Sequence, residues 1–351
     1  MPLANAASLP IGVNLLLFAA AAAVIWMAGQ RLTHILDAVA HRTRLGHVFV
    51  GMLLLGTITS LPELANVTTA SIIGNPALAV NNLLGSAAIN ILLLAIADAI
   101  VGRRAVTSIV AQPSTMMMAT LCMIVLAMIA AAITLDDRLV GPLGIGTLAI
   151  AVASLGFLWL AAGHDARSVW AIEGEGEADG KEIPRPKEAG RSLRALWMRV
   201  GFFGALLFAS GYSLAHIGDA IAEQAGLTSA IVGFAFIGTA TSLPELVTVL
   251  VALRIGRPEM AFGQVLGTNF INLSLLAVGD ALYAGDPILN LLGDFEIVSA
   301  LLGAILIGIF LVGLLEHRNR TIFRMGVDSA AVIVVFALGV GVLARMPCDS
   351  C

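Results

Sequence analysis

The sequence TSLPEL occurs twice in this chain, at residues 59–64 and again at residues 241–246. Each copy places a proline and a glutamate inside an apolar run that is long enough to cross a membrane. A proline cannot donate its backbone hydrogen bond, and a carboxylate is costly to bury in hydrocarbon. Two such insertions in matching surroundings indicate that the polar groups serve a function.

The composition is that of a membrane protein with many spanning helices. Of the 351 residues, 59% are hydrophobic and 12% are charged, and the mean hydropathy is +0.96. A soluble domain is about 25% charged, and a helix needs roughly 20 apolar residues to cross the hydrocarbon layer. We therefore predict ten spans, at residues 12–36, 47–72, 77–100, 112–134, 140–162, 197–222, 229–253, 260–284, 297–315 and 326–345.

The basic residues are concentrated on one side of these spans. With the N-terminus outside, 16 of the 19 Lys and Arg fall in or near the inner connections. Because inner loops carry the excess of positive charge, we predict that both termini lie outside, in a bacterial plasma (inner) membrane. The sequence contains no basic stripe with interleaved aromatic residues, so nucleic acid is not an expected partner.

A hydrophilic segment divides the chain into two halves. Residues 163–196 contain EGEGEADGKEIPRPKEAG, a composition typical of a flexible cytoplasmic linker. The acidic cluster in this segment lacks the ligand spacing of a helix–loop–helix calcium site. We predict a first five-helix half at 1–162, this linker, and a second five-helix half at 197–351.

The two halves carry a sequence repeat. A shift of 182 residues aligns 29–98 with 211–280, and residues 57–98 and 239–280 are identical at 21 of 42 positions. The repeat is displaced by five spans, and an odd displacement inverts it across the bilayer. The predicted fold is an all-α polytopic membrane protein with ten transmembrane helices in two inverted five-helix repeats. This is a transporter architecture, with the binding site near the midplane.

The repeated segment contains groups that bind hard cations. Pro62 leaves the carbonyl of Ile58 without its helical hydrogen bond, and Thr59 lies one turn before Glu63 on the same helix face. No Lys or Arg lies at helical spacing within these spans, so a cation from solution is the natural partner of the carboxylate. The alternative is that this segment only caps or kinks a helix, since Ser60 with Glu63 three residues later resembles a capping box.

The helix that follows each copy provides a second wall of the predicted site. Span three contains NNLLGSAAIN and span eight contains GQVLGTNFIN, so that Ser86 and Asn90, and likewise Thr268 and Asn272, lie four residues apart. The alternative is that these side chains only form interhelical hydrogen bonds, but beside two glutamates we predict cation coordination. Two carboxylates at a pseudo-twofold axis balance one divalent ion, or two or more monovalent ions.

Other polar residues also match across the halves or lie at the chain end. We interpret Asp98 and Asp280 as solvated groups at the membrane interface, with the guidance of entering ions as the alternative. His34 and His216, and Asp37 and Asp219, are interpreted as polar residues at that interface, with a proton-sensing histidine as the alternative. Cys348 and Cys351 form a C-x-x-C at the outward C-terminus, where a disulfide can form.

The paired TSLPE segments, each followed by GSAAIN or GTNFIN, closely resemble the two alpha repeats of the calcium/cation antiporter superfamily, above all its sodium/calcium exchanger branch. The resemblance implies alternating access, in which spans one and six slide against a core of spans two, three, seven and eight. It implies Ca²⁺ ligands at Glu63, Glu245, Thr59 and Thr241, Na⁺ ligands at Ser60, Ser86, Ser242 and Thr268, and central positions for Asn90 and Asn272. The chain departs from the family pattern at Ala87, where many members have Asn, and at Asn272, where many prokaryotic members have Asp.

The residues and the resemblance together favour a secondary antiporter that exports Ca²⁺ in exchange for Na⁺. The alternative is a proton-driven exchanger of Ca²⁺ or another divalent cation with the same fold, since two close carboxylates repel each other and protonation of one relieves that repulsion. An enzyme is not indicated, because the sequence contains no HExxH or GxSxG motif. A channel would not require inverted repeats. Beyond the ions and the lipid bilayer, the function requires no cofactor and no oligomer.

Overall fold

The computed structural model describes residues 8–43, 47–101, 107, 113–165, 186, 188, 190–224, 234, 237–316, 321–322 and 325–346. Within these residues, ten helices follow the predicted spans in order. They are α1 (Ile11–Thr43), α2 (His47–Ile72), α3 (Pro76–Val101), α4 (Pro113–Ile133), α5 (Ile145–Asp165), α6 (Leu193–Gln224), α7 (Gly238–Thr241 and Leu243–Arg254), α8 (Pro258–Leu282), α9 (Asp294–Glu316) and α10 (Val327–Leu343). A short 3₁₀ helix, Ile288–Leu291, precedes α9.

The described helices have the length and composition of membrane spans. Eight of them are long and apolar enough to cross a membrane, while α10 has 17 residues and α7 is described continuously only from residue 237. At the periphery, Leu16 in α1, Trp159 in α5 and Leu338 in α10 are 73%, 79% and 65% exposed. Lipid tails solvate such apolar side chains, whereas α3 in the centre is buried on almost every side.

The ends of the helices define two faces of the molecule. Gln224 at the end of α6 donates a 3.0 Å hydrogen bond to the carbonyl of Leu9, just before α1, so these two helices run antiparallel. We call the face that carries this contact the terminal face. The opposite face, where α5 ends and α6 begins, is the linker face.

Helices α5 and α6 each extend a few residues into the predicted linker, and most of that linker lies outside the described residues, as do Cys348 and Cys351. Glu188 is described, and it accepts hydrogen bonds from Arg191 and, at 2.6 Å, from Arg199 at the start of α6. Partial burial favours a higher pKa for Glu188, but the hydrogen bonds and charges of the two arginines outweigh it and hold the pKa below its usual range. This end of the linker is therefore fixed to α6 by charge.

Both TSLPEL segments interrupt a helix at the matching residue. Helix α2 passes through a π-helical stretch at Val50–Leu55, is α-helical at Gly56–Thr59, and resumes at Leu61–Ile72 after a break at Ser60. Helix α7 breaks in the same way at Ser242. The proline of each copy lies in the first turn of the resumed helix, where the missing N–H costs least.

Two short β-hairpins, which the sequence pattern does not predict, extend the repeat. Strand β1 (Leu139–Val140) pairs with β2 (Leu143–Gly144) directly before α5, and β3 (Thr321–Ile322) pairs with β4 (Met325–Gly326) directly before α10. The two hairpins lie 182 residues apart, which is the shift of the sequence repeat. The structural repeat therefore continues into the last helix of each half.

A buried carboxylate at the end of α8 anchors the hairpin before α5. Asp280 accepts a 2.6 Å hydrogen bond from the N–H of Gly144 and a 2.5 Å hydrogen bond from the hydroxyl of Thr147. Its other oxygen accepts a 2.8 Å hydrogen bond from the N–H of Ile288. Asp280 is 3% exposed, so its interpretation as a solvated interfacial group is wrong.

The matching carboxylate at the end of α3 anchors α10 in the same way. Asp98 accepts hydrogen bonds of 2.7 Å from the N–H of Gly326 and from the hydroxyl of Ser329. Asp98 is fully buried, so it too is not a solvated interfacial group. Each half thus holds the last helix of the other half by a carboxylate at a helix N-terminus, where the helix dipole favours negative charge.

We predict that Asp280→Asn lowers the stability of the folded protein. The amide nitrogen would face N–H and hydroxyl donors, so at least one charge-assisted hydrogen bond is lost and one donor is left unpaired, a cost on the order of 2–3 kcal/mol. The thermal unfolding midpoint in detergent should fall, while that of Asp286→Asn, an exposed neighbour, should not. Equal midpoints for the two variants would contradict the anchoring role.

Candidate functional site

The breaks at Ser60 and Ser242 are not held by helix capping. Ser60 has φ −79° and ψ −3°, and Ser242 has nearly the same conformation. Among the described residues, neither serine hydroxyl makes a capping bond or any other hydrogen bond, although both are buried. The capping-box alternative is therefore wrong, and the two hydroxyls are left directed at something other than the backbone.

Glycines bring the second pair of helices close to the broken ones. A Cβ on Gly85 of α3 would lie 2.2 Å from the carbonyl oxygen of Phe234, ahead of α7. A Cβ on Gly267 of α8 would lie 2.5 Å from the carbonyl oxygen of Met52 in α2. These two crossings match under the 182-residue shift, and backbones can approach this closely only where one side has no side chain.

The close crossings bring hydroxyl groups of the two halves together. Thr59 of α2 lies 3.4 Å from Thr268 of α8, measured between hydroxyl oxygens. The matching pair, Ser86 of α3 and Thr241 of α7, lies 3.5 Å apart. Ser86 also donates a 3.3 Å hydrogen bond to Glu63. These long contacts are weak hydrogen bonds, and they show that the two halves meet around a pseudo-twofold axis at this point.

All ten predicted site residues are buried, and each is at most 2% exposed. Several of their polar atoms have no hydrogen-bond partner in the described part of the chain: Ser60 Oγ, Glu63 Oε2, Asn90 Oδ1, Ser242 Oγ, both carboxylate oxygens of Glu245 and both amide atoms of Asn272. An unpaired buried polar group costs about 1–3 kcal/mol, and more if it is charged. A cluster of them at one place is expected only where a ligand completes their bonding.

The two glutamates are the charged groups of this cluster. Ser86 connects them, since it donates to Glu63 and lies 3.5 Å from Thr241, which is one helical turn before Glu245. None of the ion pairs formed by the described residues involves Glu63 or Glu245, so no basic side chain there neutralises them. The site therefore has two carboxyl groups without a basic partner and a surplus of neutral oxygens, a set that suits a positively charged ligand.

The donor set is typical of hard cations. In the described residues, no three His, Cys, Asp or Glu side chains come together as a metal cluster. The candidate ligands are instead two carboxylates with hydroxyl, amide and backbone oxygens. Oxygen ligands of this kind suit Na⁺ and Ca²⁺, whereas structural zinc sites use cysteine and histidine.

Asn269 belongs to the site, although it is not among the ligands predicted from the sequence. Its side chain accepts a 2.9 Å hydrogen bond from Asn90 and donates a 3.3 Å hydrogen bond to the carbonyl of Ala87. Ala87 is the residue that matches Asn269 in the first half. One asparagine thus reaches across the axis and occupies the space left by the alanine, which makes the centre of the site asymmetric.

A second pair of amides flanks the site, and the sequence reasoning missed it. Asn82 of α3 donates a 3.0 Å hydrogen bond to Asn66 of α2 and lies 3.5 Å from the hydroxyl of Thr241. Its counterpart Gln264 of α8 donates to Thr248 of α7. The signal was present in the sequence, since Asn82 and Gln264 lie one helical turn before Ser86 and Thr268.

Among the described residues, the two sides of the site differ in exposure. A cavity of about 220 Å³ lies towards the terminal face and is lined by Asn66 and Thr69 of α2 and by Tyr212 and His216 of α6, among others. The counterparts of Asn66 and Thr69 in α7 are Thr248 and Val251, which are 0% and 6% exposed. In the described part of the chain, a cavity therefore adjoins the site on the side of the terminal face, and the matching positions towards the linker face are buried.

Two matched polar pairs from the sequence do not form this site. Asp37 is 4% exposed and is paired with Arg257 and His47 near the end of α1. His216 lines the cavity and stacks edge-on against Tyr212, with ring centroids 4.3 Å apart. The side chain of Asp219 lies outside the described residues.

Inverted halves, broken helices and a buried acidic site define a membrane transporter of cations. A family model described as sodium/calcium exchanger protein matches residues 13–160 and 195–345, one segment in each half. The chain belongs to the sodium/calcium exchanger protein family. The predicted family and the all-helical fold are confirmed, and the protein is a transporter rather than an enzyme.

Several relatives of known sequence or structure resemble the chain over most of its length. It is 27% identical over 267 residues to CaxA of Alkalimonas amylolytica, a candidate antiporter, covering 75% of this chain and 78% of the relative. It is 26% identical over 230 residues to the inner membrane protein YrbG of Escherichia coli (strain K12), covering 65% and 67%. The structure of the sodium-calcium exchanger NCX_Mj matches with a TM-score of 0.68 and 17% identity, over 96% of this chain and 100% of that chain. At this identity, the structural match establishes the fold.

We predict that Ser60→Ala does not destabilise the protein when no ions are bound. Loss of a capping serine costs about 1 kcal/mol, but this hydroxyl makes no capping bond. The thermal midpoint in ion-free buffer should equal that of the unaltered protein, and the increase in midpoint on adding Na⁺ should become smaller. A clear fall in the ion-free midpoint would instead indicate a structural role for Ser60.

Proposed function

We propose that the protein is a secondary antiporter that exchanges Ca²⁺ for Na⁺ across the membrane by alternating access and exports calcium. The observation that supports this most directly is the pair of buried, unneutralised carboxylates, Glu63 and Glu245, contributed by the two halves. One divalent ion, or two or more monovalent ions, balances their charge. A site that can hold either set, but not both together, couples the two fluxes in opposite directions.

The proposed ligands divide by chemistry. Ca²⁺ needs six to eight oxygens and favours carboxylates, so we assign it to Glu63 and Glu245 with Thr59 and Thr241. Na⁺ carries less charge and is satisfied by neutral oxygens, so we assign its sites to Ser60, Ser86, Ser242 and Thr268. The family resemblance implies central positions for Asn90 and Asn272, and the unpaired amide oxygen of Asn272 is available to either ion.

The proposed orientation places the linker face in the cytoplasm and the terminal face outside. This is supported by the basic residues, which are concentrated in the connections of the linker face. YrbG, an inner membrane protein, supports the assignment of the same membrane to this chain. In this orientation the conformation described here is open to the outside, and residues 1–162 and 197–351 act as the two inverted halves joined by the cytoplasmic linker.

A proton-driven exchange of Ca²⁺ or another divalent cation is the second candidate. It is favoured by the mutual repulsion of the two glutamates, since a proton on one of them would relieve that repulsion. The neutral hydroxyls that flank both carboxylates favour sodium instead, because proton carriage would not require them. CaxA is named only as a candidate antiporter, which fits either coupling ion.

We predict that purified protein in sodium-loaded proteoliposomes takes up radioactive Ca²⁺, and that Glu63→Gln and Glu245→Gln each reduce this uptake to background. Loss of either carboxylate leaves a single negative charge for a divalent ion. The rate is measured with an outward sodium gradient and no pH gradient. Glu188→Gln, which changes a carboxylate in the linker, serves as the matched control and should retain the full rate.

The same vesicles distinguish Na⁺ from H⁺ as the coupling ion. Uptake that ignores the sodium gradient but follows a pH jump in sodium-free buffer would overturn the sodium assignment and support the proton-driven exchanger. Full uptake in both glutamine variants would overturn the assignment of the site.

A further inference from the structure

Helices α1 and α6 depart from the pseudo-twofold symmetry of the site. Gly29 of α1 and Gly211 of α6 match under the 182-residue shift, but they face different positions. A Cβ on Gly211 would lie 2.5 Å from Pro62 of α2, whereas a Cβ on Gly29 would lie 3.0 Å from Val247 of α7. Val247 corresponds to Ala65, three residues beyond Pro62, and three residues of helix are about 4.5 Å long.

This offset predicts a second conformation beside the one described. Because the halves have similar sequences, each can adopt the packing that the other shows. Exchanging the two packings moves α1 and α6 by about one helical turn, closes the cavity at Asn66 and Thr69, and opens the path at Thr248 and Val251 towards the linker face. The structure described here is therefore one of two related states, the one open at the terminal face.

An ion pair holds α1 in this state at the linker face. Asp37 of α1 accepts a 2.8 Å hydrogen bond from Nε of Arg257, which directly precedes α8. Nε2 of His47, at the start of α2, lies 3.1 Å from the same carboxylate oxygen. The side chains of Asp37 and Arg257 are only 6% and 8% exposed. Movement of α1 by a helical turn must separate Asp37 from partners that belong to α2 and α8.

The matching positions at the terminal face cannot form this ion pair. Under the 182-residue shift, Asp37 corresponds to Asp219, but Arg257 corresponds to Asn75 and His47 to Ser229. Asn75 instead accepts a hydrogen bond from the N–H of Leu78 and caps α3. The two states therefore differ by one buried ion pair, which exists only when the linker face is closed.

We propose that Asp37, Arg257 and His47 form a latch that keeps the linker face closed and sets the balance between the two states. This proposal rests on the proposed transport function, since only a protein that alternates between the faces has such a balance. The latch acts at a distance from the site, so its residues position the helices and do not bind the ion. Without the latch, the near-equivalence of the halves leaves the state open at the linker face more populated.

The experiment measures the accessibility of each face without transport. Single cysteines are placed at Thr69→Cys and Val251→Cys in a background that lacks Cys348 and Cys351, leaving the buried Cys122. Their rates of reaction with a water-soluble maleimide are compared in ion-free detergent solution. Arg257→Gln should raise the rate at Val251→Cys at least tenfold and lower the rate at Thr69→Cys, because a single equilibrium governs both.

Matched variants distinguish the loss of the latch from a general loss of structure. Asp37→Asn combined with Arg257→Gln should match the single variant, because the two residues lose one shared interaction. Arg254→Gln, an exposed arginine three residues away, should change neither rate. Asn75→Arg adds a cation to the opposite face, and it should raise the rate at Val251→Cys even where Arg257→Gln does not fold.

Unchanged rates at both cysteines in the Arg257→Gln protein, or in the Asn75→Arg protein if the former does not fold, would overturn the latch. A rise at both cysteines would overturn it too, because it indicates general loosening. The proposed coupling to sodium can fail independently, since the labelling requires no ion gradient. A protein that labels as expected but ignores sodium would retain the latch and lose the sodium assignment.

Discussion

The rest of the structure depends on two carboxylates, Glu63 and Glu245, that are buried within the membrane-spanning region without a basic partner among the described residues. A charge in that setting is tolerated only when an opposite charge accompanies it. The surrounding hydroxyls and amides are also left short of partners, so the whole centre is incomplete without a ligand. The breaks in helices α2 and α7 also favour a bound ligand. Each break frees backbone oxygens near a carboxylate from helical hydrogen bonding.

The proposed function requires a rigid centre around the site and movement of the helices beside it. The centre must hold several polar groups in a fixed arrangement, and the glycine crossings of α3 with α7 and of α8 with α2 do so. The exchanged anchors at Asp98 and Asp280 fix the last helix of each half onto the other half. Helix α1 is held at the linker face by the ion pair of Asp37 with Arg257, and in the proposed transport cycle the movement of α1 requires this pair to separate. In the proposed transport cycle, the two inverted halves exchange their packing, so one packing arrangement accounts for both states.

Much of the fold and of the candidate site was predictable, because the two halves of the chain have similar sequences. The matched prolines and glutamates predicted the inverted halves and a disturbed helix in each copy, and the ten residues predicted as ligands are all buried. The hairpins before α5 and α10 were missed, since two-residue strands leave no periodic pattern. Asp98 and Asp280 were misinterpreted because position near a helix end does not reveal burial. Likewise, the role of Asn269 depends on a reach across the axis that no spacing within one helix can show.

The central claim is that Glu63 and Glu245 jointly bind one cation, and a crystal soaked in Ca²⁺ or Sr²⁺ tests it directly by anomalous diffraction. The account predicts an anomalous peak between the two side chains, with carboxylate oxygens of both at about 2.3–2.6 Å from a Ca²⁺ ion. A peak bound to only one glutamate, or an ion lodged elsewhere while the two carboxylates are neutralised by protein groups, would contradict it.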